Sequence, residues 1–324
     1  MTSAPELRVA VGIFSAPVWT IDTAHVDRLR RTFPDVRFLE ARTHDELGEA
    51  IADADVAFSS MVRARTFARA RRLKWIHSSA AGVGATLFPE LVESDVVLTN
   101  SRGVQAAAMA EHILAVVLAW RRRLHVAARR QTRGTWAQNE LSLSDVRPLT
   151  ETRALIVGFG STGREAARLL TSIGVTVDAV ARTARDQIHP VSALPELLPR
   201  ADLVIVTAPH TPETDRLFDA AAFARMKPGS LLVNVGRGRV VDEGALVAAL
   251  QQGRPGGAAL DVFEREPLPP ESPLWSMENV LITPHVSGFS ADFWPGLVDL
   301  FARNLVRWRR GEPLENVVDK RRGY

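Results

Sequence analysis

The chain has 324 residues, of which 46% are hydrophobic and 24% are charged, and its 40 basic and 37 acidic side chains leave a formal net charge of +3. This length suits two domains better than one hydrophobic core. The nearly balanced charge argues against nucleic-acid binding, which needs clustered and uncompensated basic residues. The absence of cysteine excludes disulfides, thiol nucleophiles and cysteine-based zinc sites, and it agrees with the cytoplasmic location that we expect.

The N-terminal residues lack the basic segment and long apolar run of a secretory signal. The longest apolar stretch, residues 113–120, is far shorter than the roughly 20 residues needed to cross a bilayer. We therefore expect a soluble protein without a membrane partner.

The N-terminal third alternates short apolar runs with helical patterns. Strands are predicted at residues 7–14, 36–39, 56–59, 73–78 and 96–98, and helices at 21–33 and 44–52. Strands separated by helices indicate parallel pairing, so we predict an α/β domain of the flavodoxin-like type.

Residues 103–123 form a long helical pattern that is apolar on most of its circumference, which predicts a helix buried between larger units. The alternation then resumes, with buried-type strands at 155–157, 175–180, 203–207, 231–235, 258–262 and 280–283 and helices at 164–173 and 243–250. A last helix is predicted at 294–309. We expect this part to form a second, mostly parallel sheet with helices on both faces.

The predicted strand 155–157 is followed by Gly158, Gly160 and Gly163 in a G-x-G-x-x-G pattern. Such glycines allow a tight turn, a close approach to a pyrophosphate, and close packing of helix on strand. Ser161 and Thr162 begin the next helix, whose unpaired N–H groups attract an anion. The alternative is an ordinary glycine-rich turn, but the order strand, turn, helix, strand favours a dinucleotide site.

The end of strand 175–180 indicates which dinucleotide binds. An NAD site usually has an acidic residue at this position, bonded to the ribose 2′-hydroxyl. Asp178 lies inside the strand, too early to reach the ribose, whereas Arg182, Thr183 and Arg185 follow the strand and suit a 2′-phosphate. The alternative is that the arginines are merely exposed. We expect NADP as the preferred cofactor and keep NAD as possible.

Several blocks closely resemble the D-isomer-specific 2-hydroxyacid dehydrogenase family. They are residues 209–214 (PHTPET), 226–229 (MKPG), 234–238 (NVGRG), 241–243 (VDE), 260–268 (LDVFEREPL) and 283–288 (TPHVSG). The likeness extends to 75–83, 100–112 and 311–318, and so covers nearly the whole chain. Residues 181–183 (ART) look like the NADPH-preferring glyoxylate/hydroxypyruvate reductase branch.

This resemblance implies two Rossmann-like or flavodoxin-like domains with a cleft between them, and a homodimer. The substrate domain would comprise residues 1–101 and 289–324, with the dinucleotide-binding domain, 102–288, inserted between. The implied enzyme is an oxidoreductase that transfers a hydride between NADPH or NADH and a small 2-keto acid to give the D-2-hydroxy acid. Glyoxylate, hydroxypyruvate and bulkier 2-keto acids all remain open as substrates.

Reduction of a 2-keto acid needs a docked carboxylate, a polarised carbonyl and a proton donor. Arg237 follows strand 231–235, at the sheet edge where ligands bind, and its guanidinium can hold oxygen atoms in a two-pronged geometry. Gly236 and Gly238 flank it and permit an unusual backbone path. The alternative is a surface arginine, but within this block we predict that Arg237 binds substrate and takes part in catalysis.

His285 follows strand 280–283 and is the predicted proton donor, because histidine gives and recovers a proton near neutral pH. Glu266 would pair with it, orient its ring and favour its protonated form. Glu264 is an alternative, but the family pattern places the paired acid immediately before the proline, at Glu266. His112, within the helical pattern 103–123, is interpreted as a hydrogen-bonded packing residue.

The resemblance also implies substrate contacts. Ala81 and Gly82 lie in a loop resembling the one that receives the substrate carboxylate on backbone N–H groups. The chain departs from the family at Gly84, where aspartate is common, and at His77, and both departures leave the pocket shape open. Trp294 either closes over the substrate or is a core aromatic.

Further cofactor contacts come from the resemblance alone. Asp261 would contact the nicotinamide side of the cofactor. The other implied contacts are Ala208, Pro209, Thr214, Val235, Gly236 and Gly288.

Two other functions remain open. Cofactor-sensing transcriptional corepressors share this scaffold and can keep the catalytic residues, although the short stretch after His285, without an interaction tail, argues against one. Phosphoglycerate dehydrogenases of serine synthesis often carry an added regulatory domain, for which we see no room. No metal-binding motif is present, and arginine and histidine already supply charge and proton, so we predict no metal.

Overall fold

The computed structural model describes residues 6–15, 17–142, 148–184 and 188–323. The chain divides after Val104 and after Phe289 into two compact units. We call the unit built from both ends of the chain the terminal unit, and the unit formed by Gln105–Phe289 the central unit.

The strands and helices alternate along most of the chain. The strands are β1 (Leu7–Val11), β2 (Val36–Glu40), β3 (Val56–Phe58), β4 (Trp75–His77), β5 (Val97–Thr99), β6 (Arg153–Val157), β7 (Thr176–Ala181), β8 (Ile188–Pro190), β9 (Leu203–Val206), β10 (Leu231–Asn234), β11 (Gly257–Leu260) and β12 (Val280–Ile282). The helices are α1 (Thr23–Thr32), α2 (His44–Ala52), α3 (Ala64–Phe67), α4 (Pro89–Glu93), α5 (Ala106–Arg121), α6 (Leu124–Gln131), α7 (Gln138–Ser142), α8 (Ser161–Ser172), α9 (Leu194–Leu197), α10 (Ala220–Arg225), α11 (Glu243–Gln251) and α12 (Phe293–Arg310).

The terminal unit contains a parallel sheet in the order β2-β1-β3-β4-β5, the flavodoxin-like order. Alternate residues of each strand point to opposite faces, so Trp75 packs with Phe301 of α12 while Ile76 packs with Leu47 of α2. Both faces of the sheet are therefore covered by helices, and the predicted flavodoxin-like fold is confirmed.

The central unit contains a second parallel sheet, in the order β12-β11-β10-β9-β6-β7-β8. Its chain order reverses between β6 and β9, and ligands of such sheets bind at the carboxyl ends of the strands near this point. Ile156 packs on one face with α5 and α8, and Leu155 packs on the other face. The predicted pair of parallel α/β sheets is confirmed.

The structure differs from the sequence analysis at two elements. Strand β8 was missed, because a three-residue edge strand ending in proline has no apolar pattern of its own. Helix α5 buries one stripe, Ala110, Ile113, Val116 and Val117, whereas Leu118 is exposed, so it is not buried around most of its circumference. No helix in the described residues is both long and apolar enough to span a bilayer.

Candidate active site

A histidine–carboxylate pair lies at the carboxyl edge of the central sheet. His285, after β12, places its Nδ1 2.7 Å from Oε2 of Glu266, in the loop after β11. Burial alone would raise the pKa of Glu266, but hydrogen bonds from His285 and the Phe263 N–H, with the charges of His285 and Arg237, lower it. Glu266 is therefore a carboxylate at neutral pH and can accept a hydrogen bond from the N–H group at Nδ1 of His285. The structure brings the two predicted residues together.

Arg237 follows β10 and lies close enough to Glu266 for the two charges to influence each other. Partial burial lowers the pKa of Arg237, and the charge of Glu266 opposes this decrease. One guanidinium nitrogen, Nη1, donates to the carbonyl of Gly236 at 2.7 Å. Arginine stays protonated throughout the physiological range, so Arg237 adds a permanent positive charge beside the histidine–carboxylate pair.

Gly238 explains how the Arg237 turn comes so close to the Glu266 loop. A Cβ atom on Gly238 would overlap the carbonyl group of Phe263, so the two backbone segments touch directly. The same loop is fastened at Glu264, whose N–H donates to the carboxylate of Glu243, while Glu264 Oε1 accepts from the Glu243 N–H at 3.3 Å. Glu264 therefore holds the loop to the start of α11, and Glu266 faces His285.

His285 itself has φ 54°, in the left-handed region that non-glycine residues seldom adopt. Its N–H donates to the Asp261 carbonyl at 2.9 Å. The carboxylate of Asp261 accepts from the Val286 N–H at 2.9 Å and from the Ser287 N–H at 3.0 Å. Asp261 is 1% exposed and holds the segment that carries His285. Its predicted contact with the nicotinamide stays a prediction.

The glycine-rich turn suits a dinucleotide pyrophosphate. Gly158 has φ 103°, and a Cβ there would lie 2.5 Å from the Ala208 nitrogen. A Cβ on Gly163 would overlap the carbonyl oxygen of Gly158, so α8 packs directly on the turn. By contrast, a Cβ on Gly160 would meet nothing within 4 Å. Because α8 begins at Ser161, after a glycine without a capping side chain, its first N–H groups are suited to an anion.

The other predicted cofactor residues lie in loops at strand ends of the central unit, apart from Ser161 and Thr162, which begin α8. Arg182 and Thr183 are exposed just beyond β7, whereas Arg185 lies outside the described residues. Two hydroxyl groups bond within the protein, that of Thr162 to Met109 Sδ at 3.6 Å and that of Thr214 to the Pro209 carbonyl at 2.7 Å. Ala208, Val235, Gly236 and Gly288 are buried.

The substrate-contact candidates Ala81 and Gly82 lie in the terminal unit, exposed in the loop after β4. Asn100 Nδ2 donates to the Ala81 carbonyl at 2.8 Å and fixes this loop. Trp294 is half-buried and stacks on His25, with ring centroids 6.0 Å apart. Gly84 is exposed, and a Cβ there would meet nothing within 4 Å. The backbone around Gly84 therefore leaves space for the Cβ of aspartate, the residue that is common in the family at this position.

His77 is a core residue. It is 0% exposed, and its Nδ1 lies 2.7 Å from Thr99 Oγ1 while its Nε2 lies 3.3 Å from Ser101 Oγ. Burial lowers its pKa to about 3, so the ring is neutral at physiological pH. His77 therefore supports the sheet next to the 78–83 loop and does not point into a pocket.

Sequence patterns missed the residues that support the site. Thr283, Ser287, Glu243 and the close approach at Gly238 act through contacts between segments distant in the chain, which no local pattern reveals. The expectation that His112 is hydrogen-bonded is confirmed, since its Nε2 lies 3.2 Å from Thr283 Oγ1. Within the described residues, no group of three His, Asp or Glu side chains is arranged to hold a metal ion.

A parallel sheet with this turn, arginine and histidine–carboxylate pair defines a nicotinamide-dependent oxidoreductase. Residues 114–287 match the family model described as D-isomer specific 2-hydroxyacid dehydrogenase, NAD binding domain. The chain belongs to this family, which confirms the resemblance seen in the sequence, and it is an NAD(P)-dependent oxidoreductase that acts on CH–OH groups.

Two relatives are similar to this chain in sequence over most of its length. The chain is 32% identical over 282 residues to a glyoxylate reductase of Korarchaeum cryptofilum, covering 84% of this chain and 85% of that one. It is 29% identical over 302 residues (91% of this chain) to a D-3-phosphoglycerate dehydrogenase of Archaeoglobus fulgidus, of whose length it spans 57%.

Two solved structures match this chain along almost its whole length. A D-isomer specific 2-hydroxyacid dehydrogenase from Xanthobacter autotrophicus Py2, in complex with NADPH and MES, matches with a TM-score of 0.85 and 33% identity over 99% of this chain and 100% of that one. An NADPH-dependent glyoxylate/hydroxypyruvate reductase from Sinorhizobium meliloti, in complex with NADP and sulfate, matches with a TM-score of 0.84 and 28% identity over 98% and 100% of the two chains.

Proposed function

We propose that this chain reduces a small 2-keto acid to the D-2-hydroxy acid with NADPH, and that Arg237, Glu266 and His285 are its catalytic residues. The observation that carries the proposal is the 2.7 Å contact between His285 Nδ1 and Glu266, with the charge of Arg237 beside it. A nicotinamide dinucleotide, when bound, supplies the hydride.

The proposed division of labour follows from the geometry of the pair. Glu266 holds His285 at Nδ1, and we assign Nε2 to give a proton to the developing alkoxide. Glu266 orients the ring and favours the imidazolium form from which that proton comes. Arg237 neutralises the substrate carboxylate and polarises the keto oxygen. In the reverse direction His285 recovers the proton from the hydroxyl group.

We assign cofactor binding to the central unit and part of substrate binding to the terminal unit. The turn Gly158–Gly163 would hold the pyrophosphate, and Ala81, Gly82 and Trp294 would contact the substrate. The domain limits of 101 and 288, the cytoplasmic location and the homodimer stay predictions.

The preference for NADP is also a proposal. Arg182 and Thr183 follow β7, where the ribose 2′ position of a bound dinucleotide lies in this fold. The relatives from X. autotrophicus and S. meliloti that bind NADPH and NADP support the proposal, because they match nearly the entire chain.

The test is a spectrophotometric screen of glyoxylate, hydroxypyruvate and bulkier 2-keto acids against NADPH and NADH in parallel. We expect faster oxidation of NADPH. Cofactor binding without turnover of any keto acid would favour a dinucleotide-sensing corepressor, and a strong preference for NADH would refute the role given to Arg182. Phosphohydroxypyruvate belongs in the screen because one relative is a phosphoglycerate dehydrogenase.

A further inference from the structure

The buried carboxylate of Asp261 holds the segment from Thr283 to Ser287 by hydrogen bonds. Oδ1 of Asp261 accepts from the Thr283 hydroxyl at 2.6 Å and from the Val286 N–H at 2.9 Å, and Oδ2 accepts from the Ser287 N–H at 3.0 Å. His285, in the middle of this segment, has φ 54°. A non-glycine residue keeps such a conformation when the surrounding bonds over-determine it, and these bonds do so here.

These hydrogen bonds continue to His112 in helix α5. Burial alone would raise the pKa of Asp261, but its hydrogen bonds with Ser287, Thr283 and the Val286 N–H lower it, so the group is an acceptor-only carboxylate. The one hydroxyl proton of Thr283 must then point to Asp261. Thr283 Oγ1 can interact with His112 Nε2, 3.2 Å away, only by accepting a proton from it. His112 therefore carries its proton on Nε2.

The environment of His112 agrees with this assignment. Burial lowers the pKa of His112, and the negative charge of Asp261 opposes the decrease. The ring is therefore neutral at physiological pH, with one N–H. The hydrogen bonds run in one direction, from His112 through Thr283 to Asp261.

We propose that His112 and Thr283 are positioning residues for His285, acting through Asp261. Glu266 fixes the ring of His285 at Nδ1, while the His112–Thr283–Asp261 chain fixes its backbone. Together they set the direction of Nε2. The inference rests on the proposed function, because it takes His285 as the proton donor. A donor that is misdirected lowers kcat, whereas substrate and cofactor binding, which need Arg237 and the glycine turn, change little.

The first experiment compares Thr283→Val with Thr283→Ser. Valine keeps the shape but has no hydroxyl, and serine keeps the hydroxyl. We expect Thr283→Val to lower kcat by about 10- to 100-fold with the KM for the keto acid within about threefold, because small misplacements of catalytic groups have effects of this size. Thr283→Ser should stay within about threefold of the parent in kcat, since it preserves the chain of hydrogen bonds.

The second experiment compares His112→Gln with His112→Asn. The amide nitrogen of glutamine reaches approximately the position of Nε2, whereas that of asparagine stops near Nδ1. Glutamine should therefore retain most of kcat, and asparagine should lose about tenfold. Equal kcat values for the two variants would overturn the role of Nε2–H.

Amide hydrogen exchange separates this inference from the proposed function, because it is measured on the chain without cofactor. We expect Thr283→Val, but not Thr283→Ser, to speed exchange at Val286 and Ser287 by about tenfold or more, with only a small decrease in melting temperature because Asp261 and His112 each lose one hydrogen-bonding partner. Unchanged exchange and unchanged kcat in Thr283→Val would refute the positioning role. A parent that turns over no keto acid while the valine variant still exchanges faster would refute the proposed function and leave the fastening of the segment established.

Discussion

The two units are built on the same plan, but the ends of their strands carry different chemistry. In the central unit, charged side chains follow the strands, and His285 is exposed and paired with Glu266. In the terminal unit, the histidine at the end of β4, His77, is completely buried between Thr99 and Ser101. Two parallel sheets of one architecture thus place histidine in opposite environments, one suited to proton transfer and the other to packing. Function is therefore carried by the site and not by the fold.

Replacing each histidine tests this difference between the two units most directly. His285→Ala should lower kcat by about 10²- to 10⁴-fold, the range for loss of a general acid, with nearly unchanged cofactor affinity and melting temperature. His77→Ala should instead lower the free energy of unfolding by about 2–4 kcal/mol, because it leaves a cavity and removes one of the hydrogen-bonding partners of the Thr99 and Ser101 hydroxyl groups. Steady-state kinetics and urea unfolding distinguish the two. A folded His285→Ala variant with parental kcat would contradict the assignment of the proton donor.

Glycines offer the next test, since Gly238 lies against the Phe263 backbone and Gly84 faces open space. Gly238→Ala should push the Arg237 turn away from the Glu266 loop, with a loss of about 1–3 kcal/mol in unfolding free energy and a lower kcat. Gly84→Ala in the terminal unit is the control for stability and should leave the unfolding free energy unchanged, because a Cβ there meets nothing within 4 Å. Thermal melting and turnover of both variants are the measurements. Equal melting temperatures of the two variants would contradict the requirement for a close backbone contact at Gly238.

The proposed preference for NADP gives a third test, because it assigns recognition of the 2′-phosphate to the central unit alone. Arg182→Ala should raise the KM for NADPH by about 10- to 100-fold, the value of a charge-assisted hydrogen bond, and leave the KM for NADH unchanged. Arg168→Ala, which removes an arginine paired with Glu165 on α8, is the matched control. A parallel increase for both cofactors would point to damage to the fold and against phosphate recognition.

The smallest expected effect concerns acid stability. Burial lowers the pKa of His77 to about 3, whereas an unfolded chain binds that proton near 6.5. The contribution is therefore complete above pH 6.5 and is lost as the pH falls towards 3, by about 1.4 kcal/mol per pH unit. Urea unfolding of the parent and of His77→Gln at pH 7.0 and 5.5 tests this. The variant should show the shallower dependence, and identical slopes would contradict the neutral, buried state.

Much of this arrangement is readable from the chain, for definite physical reasons. The buried strands of the central unit, the turn Gly158–Gly163 and the candidates Arg237 and His285 stand in local patterns, because strand, turn and helix require particular residues in a fixed order. Glu266 could be separated from Glu264 only by the family pattern. The structure supplies the physical difference, since Glu266 contacts His285 and Glu264 contacts Glu243.

Other features leave no local trace. The link between His112, Thr283 and Asp261 joins segments that are far apart in sequence, and the left-handed conformation of His285 depends on all of them. The burial of His77 was equally invisible, because its neighbours Thr99 and Ser101 belong to another strand end. Contacts of this kind follow from the sheet order, which the one-dimensional pattern constrains only in part.

Helix α12 has a consequence for how the molecule is made. Phe301 of this helix stacks on Phe58 of β3 with ring centroids 4.3 Å apart, and it also stacks on Trp75 of β4. During synthesis the ribosome releases β1–β5 first and α12 only after the whole central unit. One side of the first sheet, which α1 covers only in part, therefore lacks the rest of its cover until late in translation. We expect the nascent central unit to fold before α12 completes the terminal unit.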